Sequence, residues 1–180
     1  MPLTPSRIII VMGVSSSGKS TVGQSIARRL HVAFLDGDGY HPEANVEKMR
    51  AGIPLTDEDR WPWLEKLATA LHGAAEKKDA AVGACSALKC AYREFLVQKA
   101  GEPILFVYLQ GSKDVIAARM AKRQHEYMPT SLLNSQFATL EVPDPEIENV
   151  LILPVTDSVE KLTVAVVKSL DHLKSFKRWQ

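Results

Sequence analysis

The chain has 180 residues, of which 46% are hydrophobic and 24% are charged, and its formal net charge is +1. This composition is typical of one globular domain with a buried core, and the balanced charge argues against nonspecific binding to nucleic acid or membranes. No apolar run approaches the roughly 18 residues of a membrane-spanning helix, and the first residues lack the apolar core of a signal peptide. Cys85 and Cys90 match no metal-ligand spacing, so we expect reduced thiols in a cytoplasmic protein.

Short apolar runs alternate with helical patterns along the chain. Strands are predicted at 7–12, 32–35, 81–85, 104–109 and 150–153. Helices are predicted at 19–30, 57–77, 88–99, 113–122 and 157–174, with another within SLLNSQFATLE at 131–141. Such alternation favours a parallel sheet with helices on both faces. One domain is predicted over residues 1–180, with a lid at approximately 123–145.

The segment GVSSSGKS fits the phosphate-loop pattern G-x-x-x-x-G-K-[ST] at every fixed position. It follows a predicted strand and opens a predicted helix, which is the context that this motif requires. Its small residues allow backbone N–H groups to surround a phosphate at the positive end of the helix. Lys19 can reach the β- and γ-phosphates, and the Ser20 hydroxyl can bind Mg²⁺. The predicted ATP-binding residues here are Gly13, Val14, Ser15, Ser16, Ser17, Gly18, Lys19, Ser20 and Thr21.

Two carboxylates follow the second predicted strand, in the segment FLDGDGYHP. We expect Asp36 and Asp38 to stand on opposite faces of the extended chain and therefore to serve different partners. Asp36 would hold Mg²⁺ through water, and Asp38 would accept a hydrogen bond from the hydroxyl that attacks the γ-phosphorus. The alternative is that DGDG forms only a solvated turn, since Asp and Gly are common in turns.

Several motifs of this chain, in order, resemble those of the gluconokinases, small P-loop kinases related to the shikimate kinases. The motifs are VMGVSSSGKST, FLDGDGYHPEANVEKMRAGIPLTDEDRWPWL, CSALKCAYREFL, FVYLQGSKDVIAARMAKR and MPTSLLNSQFATLE. The resemblance implies a nucleoside-monophosphate-kinase-like α/β fold, with a five-stranded parallel sheet in the order 2-3-1-4-5 and a lid. It also implies phosphoryl transfer from ATP to the 6-hydroxyl of D-gluconate, with Mg²⁺, feeding the pentose phosphate pathway. Members are typically cytoplasmic and often homodimers.

An anionic polyol such as gluconate needs cations for its carboxylate and hydrogen-bonding groups for its hydroxyls. The candidate substrate-binding residues are Asp38, His41, Arg60, Ser86, Ala87, Lys89 and Arg93. Alternatives remain for several of them. Arg60 also suits a helix-surface arginine paired with Asp57 or Glu58, and His41 suits a packing or capping residue. Lys89 and Arg93, four residues apart, also suit a solvent-exposed helix face.

Two arginines, Arg119 and Arg123, stand four residues apart before the predicted lid. The resemblance places Arg119 near the adenine and Arg123 at the phosphates, where it would stabilise charge in the transition state. The alternative for both is an exposed helix charge. The chain departs from the family pattern nearby, where His125-Glu126-Tyr127 replaces a Gly-His-Phe triplet and so lacks the flexibility of the glycine. Asp59 and Gln136 match the family without a derivable role.

Other classes of P-loop protein fit less well. The chain has no Asn-Lys-x-Asp motif of a guanine-nucleotide switch, and its third strand ends in GACSALK without the carboxylate of a motor ATPase. A shikimate kinase would be expected to have a glycine triplet after that strand. A nucleotide-binding regulator without transfer activity is disfavoured by the intact Lys19, Ser20, Asp36 and Asp38.

Overall fold

A five-stranded parallel sheet organises the computed structural model, which describes residues 2–122 and 130–177. The strands are β1 (Ile8–Met12), β2 (Ala33–Asp36), β3 (Ala81–Ala84), β4 (Ile104–Gln110) and β5 (Val150–Pro154). Their order in the sheet is β2-β3-β1-β4-β5, and all four pairings are parallel. The predicted order 2-3-1-4-5 is therefore confirmed.

Helices connect the strands. They are α1 (Lys19–Leu30), α2 (Glu43–Arg50), α3 (Asp57–Lys78), α4 (Cys90–Ala100), α5 (Lys113–Lys122), α6 (Thr130–Thr139) and α7 (Val159–Lys177). All were predicted except α2, whose eight residues bury only the polar Asn45 and so show no apolar periodicity. Helix α4 begins two residues later than predicted because Lys89 has the extended backbone of an N-cap residue.

Both faces of the sheet are covered, as the alternation of β1 shows. Ile8, Ile10 and Met12 pack against α3 and α4 on one face, in one cluster of buried residues. Ile9 and Val11 face the other way and pack against α1 and α7. A strand that is buried on both faces reads as a continuous apolar run, as IIIVM does. None of the helices in the described part of the chain is long and apolar enough to cross a membrane.

Helix α6 lies in the described part of the predicted lid. It nearly matches the helix predicted at 131–141, and Leu133 is buried in the core cluster shared with α1 and α7. Gln136 extends from the same helix towards the segment after β1. The predicted catalytic residue Arg123 and the unusual triplet at 125–127 lie outside the described residues.

Candidate active site

The phosphate loop lies between the carboxyl end of β1 and the start of α1. Gly13 and Gly18 have φ angles of +145° and +96°, which side chains other than hydrogen disfavour. Gly18 precedes α1 and, as a glycine, provides no side-chain cap for the N–H groups of the first turn. This end of the helix has the properties of an anion-binding site.

Two side chains make hydrogen bonds within or across this loop. The Lys19 ammonium donates to the carbonyl of Val14 over 2.9 Å, so it folds back over the loop. The backbone N–H of Ser15 donates over 2.6 Å to Oε1 of Gln136 on α6. Gln136 therefore accepts a hydrogen bond from one of the loop N–H groups that the motif assigns to phosphate. The sequence analysis had not predicted this contact of Gln136.

Ser20 and Asp36 lie together at the edge of the loop. The Ser20 hydroxyl donates to the Asp36 carboxylate over 2.6 Å, although the two residues are 16 positions apart. A hydroxyl and a carboxylate are hard oxygen ligands of the kind that Mg²⁺ prefers. No group of three or more His, Cys, Asp or Glu residues suited to a metal exists among the described residues. The pair therefore fits a magnesium ion whose remaining ligands are phosphates and water.

The expectation that Asp36 and Asp38 stand on opposite faces of an extended chain is wrong. Residues two apart in a strand share a face, and the extended chain ends at Asp36 because a 3₁₀ turn, Gly37–Tyr40, begins there. The Asp36 carboxylate accepts the backbone N–H of Asp38 over 3.1 Å, so its two oxygens serve the turn and Ser20. The turn, not the strand pleat, positions Asp38.

Cys85 marks the point where these groups converge. It is buried at the end of β3, and this burial raises the pKa of the thiol to about 12. The positive charge of Lys19 lowers the pKa of this thiol, and the negative charges of Asp36 and Asp38 raise it. All three charges therefore lie in the neighbourhood of the Cys85 sulfur. The ends of β1, β2 and β3 thus bring a cation and two carboxylates to one edge of the sheet, the usual ligand edge of parallel sheets.

Two candidate substrate-binding residues meet at Asp57, at the start of α3, which the sequence analysis named only as an alternative partner of Arg60. Lys89 donates to both Asp57 oxygens over 3.1 Å, and the Tyr92 hydroxyl donates to Oδ1. These contacts, with the hydrogen bond from Tyr92 first, lower the pKa of Asp57. Arg60 lies 3.7 Å from the same carboxylate and donates to the carbonyl of Leu55 over 2.6 Å. Two predicted substrate cations therefore share one acidic partner.

Arg93 lies neither at a substrate site nor on a solvent-exposed helix face, the two positions that the sequence analysis considered. Its side chain is only 2% exposed, so it is not on a solvent face. The guanidinium donates to Glu148 over 2.5 and 2.9 Å, and to the carbonyls of Ala87 and Leu88 over 3.0 and 3.2 Å. Since these bonds use four of its five N–H donors, the prediction that Arg93 offers charge to a substrate is wrong for this conformation. Arg93 instead supports the backbone after β3.

The remaining predicted site residues lie around this edge. The Ser86 carbonyl accepts the backbone N–H of Gly13 over 3.3 Å, which ties the end of β3 to the phosphate loop. Ala87 is buried and has a φ angle of +45°, an uncommon conformation for a residue with a side chain. Thr21 is exposed on the first turn of α1. Arg119 donates to the carbonyl of Val155, after β5, so it lies between α5 and that loop.

The structure also places residues that sequence reasoning left without a role. Asp59 forms a capping box with Thr56 at the start of α3 and an ion pair with Lys48 at 2.8 Å. The sequence TDED carries the capping signal, since Thr precedes an acidic residue by three positions. The partner Lys48 lies on α2, which was not predicted, so no sequence pattern indicated that contact.

Known kinases are similar to this chain in sequence and in structure. Residues 8–143 match a protein-family model described as an AAA domain. The thermoresistant gluconokinase of Escherichia coli strain K12 is 41% identical over 163 residues, which cover 90% of this chain and 92% of that protein. The crystal structure of a gluconokinase from Sinorhizobium meliloti 1021 is 40% identical, with a TM-score of 0.85, and the match covers 98% of this chain and 97% of that chain.

A more distant similarity extends to the shikimate kinases. The crystal structure of shikimate kinase from Aquifex aeolicus has a TM-score of 0.54 at 16% identity, over 91% of this chain and 96% of that chain. At this identity the two proteins share the fold alone.

Proposed function

Because the chain belongs to the gluconokinase family and matches an AAA domain over residues 8–143, we propose that it transfers the γ-phosphoryl group of ATP to the 6-hydroxyl of D-gluconate. The products are 6-phospho-D-gluconate and ADP. The observation that supports this most is that the Asp36 carboxylate joins Ser20 of the phosphate loop to the turn that bears Asp38. A phosphate-binding loop, a metal-binding pair and a carboxylate that can face an acceptor hydroxyl thus meet at one place.

The residues of the loop bind and orient the nucleotide. The amides at the start of α1 and the Lys19 ammonium stabilise negative charge on the phosphates, which is the main requirement of phosphoryl transfer. Ser20 and Asp36 would hold Mg²⁺, which when bound neutralises part of the phosphate charge. The Ser15 amide must exchange Gln136 for a phosphate oxygen if that oxygen takes the same position.

Asp38 accepts the proton of the attacking hydroxyl, or orients that hydroxyl, in this proposal. In this proposal Arg60 and Lys89 bind the sugar-acid carboxylate, which takes the place of Asp57 as their anionic partner. Ser86 and the backbone around Ala87 line the acceptor side. Arg123 acts on the transferred group and Arg119 lies near the adenine, as the family resemblance implies.

The proposal also covers the arrangement of the whole protein. It is one domain over residues 1–180 with a lid at approximately 123–145, and it functions in the cytoplasm as a homodimer. The family resemblance is the support for the lid, the location and the dimer. Light scattering of the purified chain would measure its oligomeric state directly.

Coupled ADP release, with ATP and Mg²⁺, tests the function across gluconate, shikimate, glycerate and no acceptor. We expect fast turnover with gluconate alone. Asp38→Asn should reduce kcat by about two orders of magnitude and leave the KM for ATP within about threefold, since general-base catalysis is worth that much. Glu47→Gln, an exposed charge removal on α2, is the control. Slow ADP release at the same rate with every acceptor and with none would contradict the proposal and indicate a nucleotide switch.

A further inference from the structure

The imidazole of His41 is held in a fixed plane next to the turn that bears Asp38. It stacks on the indole of Trp63, with ring centroids 4.1 Å apart and planes inclined by 19°. Trp63 is buried, and its Nε1–H donates over 2.7 Å to the carbonyl of Gly37. Because the indole is locked to the turn, the stacked imidazole is oriented relative to Asp38 as well.

A buried amide determines which nitrogen of His41 carries the proton. Asn45 on α2 is only 3% exposed, and its Nδ2 donates over 2.8 Å to the carbonyl of Asp59. A carbonyl can only accept, so this contact fixes which end of the amide is nitrogen. The same Nδ2 lies 3.3 Å from Nδ1 of His41. Two donors cannot share a hydrogen bond, so Nδ1 must accept and the ring proton resides on Nε2.

The ring is also uncharged at neutral pH. Burial, followed by the nearby charge of Arg60, lowers the pKa of His41 to about 4. Its Nε2–H makes no hydrogen bond to any residue in the described part of the chain. The ring is only half-buried, so this N–H is accessible to a ligand. A neutral donor is thus presented near Arg60, directly after the turn that bears Asp38.

We propose that Asn45 is a positioning residue that holds His41 as a neutral Nε2–H donor, and that His41 donates this hydrogen bond to an oxygen of the acceptor substrate. This inference rests on the proposed function for the identity of the acceptor. It also separates two roles, because a nitrogen that carries a proton cannot act as a base. Asp38 therefore remains the group that receives the proton of the attacking hydroxyl.

Nuclear magnetic resonance of the full chain labelled with ¹⁵N-histidine tests the tautomer without any need for turnover. Long-range ¹H–¹⁵N correlation at neutral pH should show a protonated Nε2 and an unprotonated Nδ1 for one histidine, whose signals disappear in His41→Gln. In Asn45→Asp, where a carboxylate faces Nδ1, the ring should gain a proton on Nδ1. An Nδ1–H tautomer or an imidazolium in the unmodified protein would overturn the assignment.

A matched pair of substitutions tests the donor role, independently of whether Asn45→Asp folds. The amide nitrogen of His41→Gln reaches the position of Nε2, whereas that of His41→Asn reaches only the position of Nδ1. We expect kcat/KM for gluconate to remain within about threefold in His41→Gln and to fall at least about tenfold in His41→Asn. A fall of this size corresponds to the loss of one hydrogen bond to the substrate. The KM for ATP should not change in either variant.

The outcomes of the two arms are distinct. Equal losses in both His41 variants, or a change confined to the KM for ATP, would overturn the donor role. If gluconate is not phosphorylated by the unmodified chain, the proposed function fails, and the same pair is compared on whichever acceptor of the panel accelerates ADP release. The spectrum decides the tautomer in either case.

Discussion

Asp57 and Asp59 lie two residues apart at the start of α3 and have different neighbours. Asp57 faces α4, where it accepts hydrogen bonds from Lys89 and Tyr92. Asp59 faces the other way, to Lys48 on α2 and to the backbone N–H of Thr56. Asp57 therefore pairs with two of the candidate substrate cations, Arg60 and Lys89, and Asp59 joins α2 to α3.

Asp59 makes stability depend on pH in a defined direction. The hydrogen bond from Lys48, followed by that from the Thr56 N–H, lowers the pKa of Asp59 from 3.8 to about 2. Because the folded state favours the carboxylate, this stabilisation is complete above about pH 4 and is lost as the pH falls towards 2. We expect Asp59→Asn to lower the Tm at pH 7, and the difference from the unmodified chain to shrink between pH 4 and pH 2.

The control for this measurement is Asp79→Asn, which removes the same charge at the exposed far end of α3. Asn is tolerated at that position, where the backbone is left-handed with φ of +65°. Thermal unfolding of the three proteins across this pH range compares them directly. A Tm difference for Asp59→Asn that stays constant down to pH 2 would contradict the assignment of the ion pair.

At the scale of elements, the 3₁₀ turn between β2 and α2 is confined on one side by β3. A Cβ atom on Gly37 would lie 2.5 Å from the backbone carbonyl of Ala84 and 3.2 Å from Leu67. Gly39, two residues later in the same turn, has nothing within 4 Å of the equivalent position. Only the first glycine is therefore required by packing, and it lies between the two site carboxylates.

Alanine at each glycine gives a matched pair. Gly37→Ala should destabilise the fold by about 1–3 kcal/mol, since the obstructing atom is backbone and cannot rotate away. It should also reduce kcat, because the turn that carries Asp38 must move. Gly39→Ala should change stability by less than about 1 kcal/mol. Urea denaturation and ADP release measure both effects, and equal losses in the two variants would show that β3 does not confine the turn.

At the scale of the whole molecule, an ion pair made by a buried arginine connects α4 to the segment before β5. Arg93 on α4 binds Glu148, 55 residues later, in the segment that leads into β5. The same guanidinium binds the carbonyls of Ala87 and Leu88 beside the candidate site. The edge strand β5 and the loop after β3 are therefore held by one side chain.

Removing the acidic partner should be costly. Glu148→Gln leaves the buried Arg93 charge without its counterion, and breaking such a pair costs about 3–5 kcal/mol. Glu160→Gln is the matched control, because it breaks an exposed pair with Arg29 whose side chains are 52% and 68% exposed. Such surface pairs are worth about 0–1 kcal/mol. The urea midpoints of the two variants should differ accordingly, and similar midpoints would mean that Glu148 does not compensate the Arg93 charge.

The sequence by itself determined the local features. The phosphate loop, the strand before it and the helix after it depend on small residues and apolar periodicity within about 20 neighbouring positions. The small residues and the periodicity can both be read directly from the sequence. The same short-range signals located all five strands, six of the seven helices and the two site carboxylates. Helix α2 was missed because its buried residue is polar, so it has no apolar stripe.

Only the tertiary structure decided which distant side chains meet. The exposure of Arg93, the contact between Gln136 and Ser15 across 121 positions, and the stack of His41 on Trp63 depend on how the helices cross the sheet. Helical spacing indicates that two residues share a face, but it does not indicate which element covers that face. Arg93 was therefore predicted to bind substrate or, as the alternative, to lie on a solvent-exposed face. In the structure Glu148 and the backbone after β3 cover it, because a buried cation needs an anion and carbonyls around it.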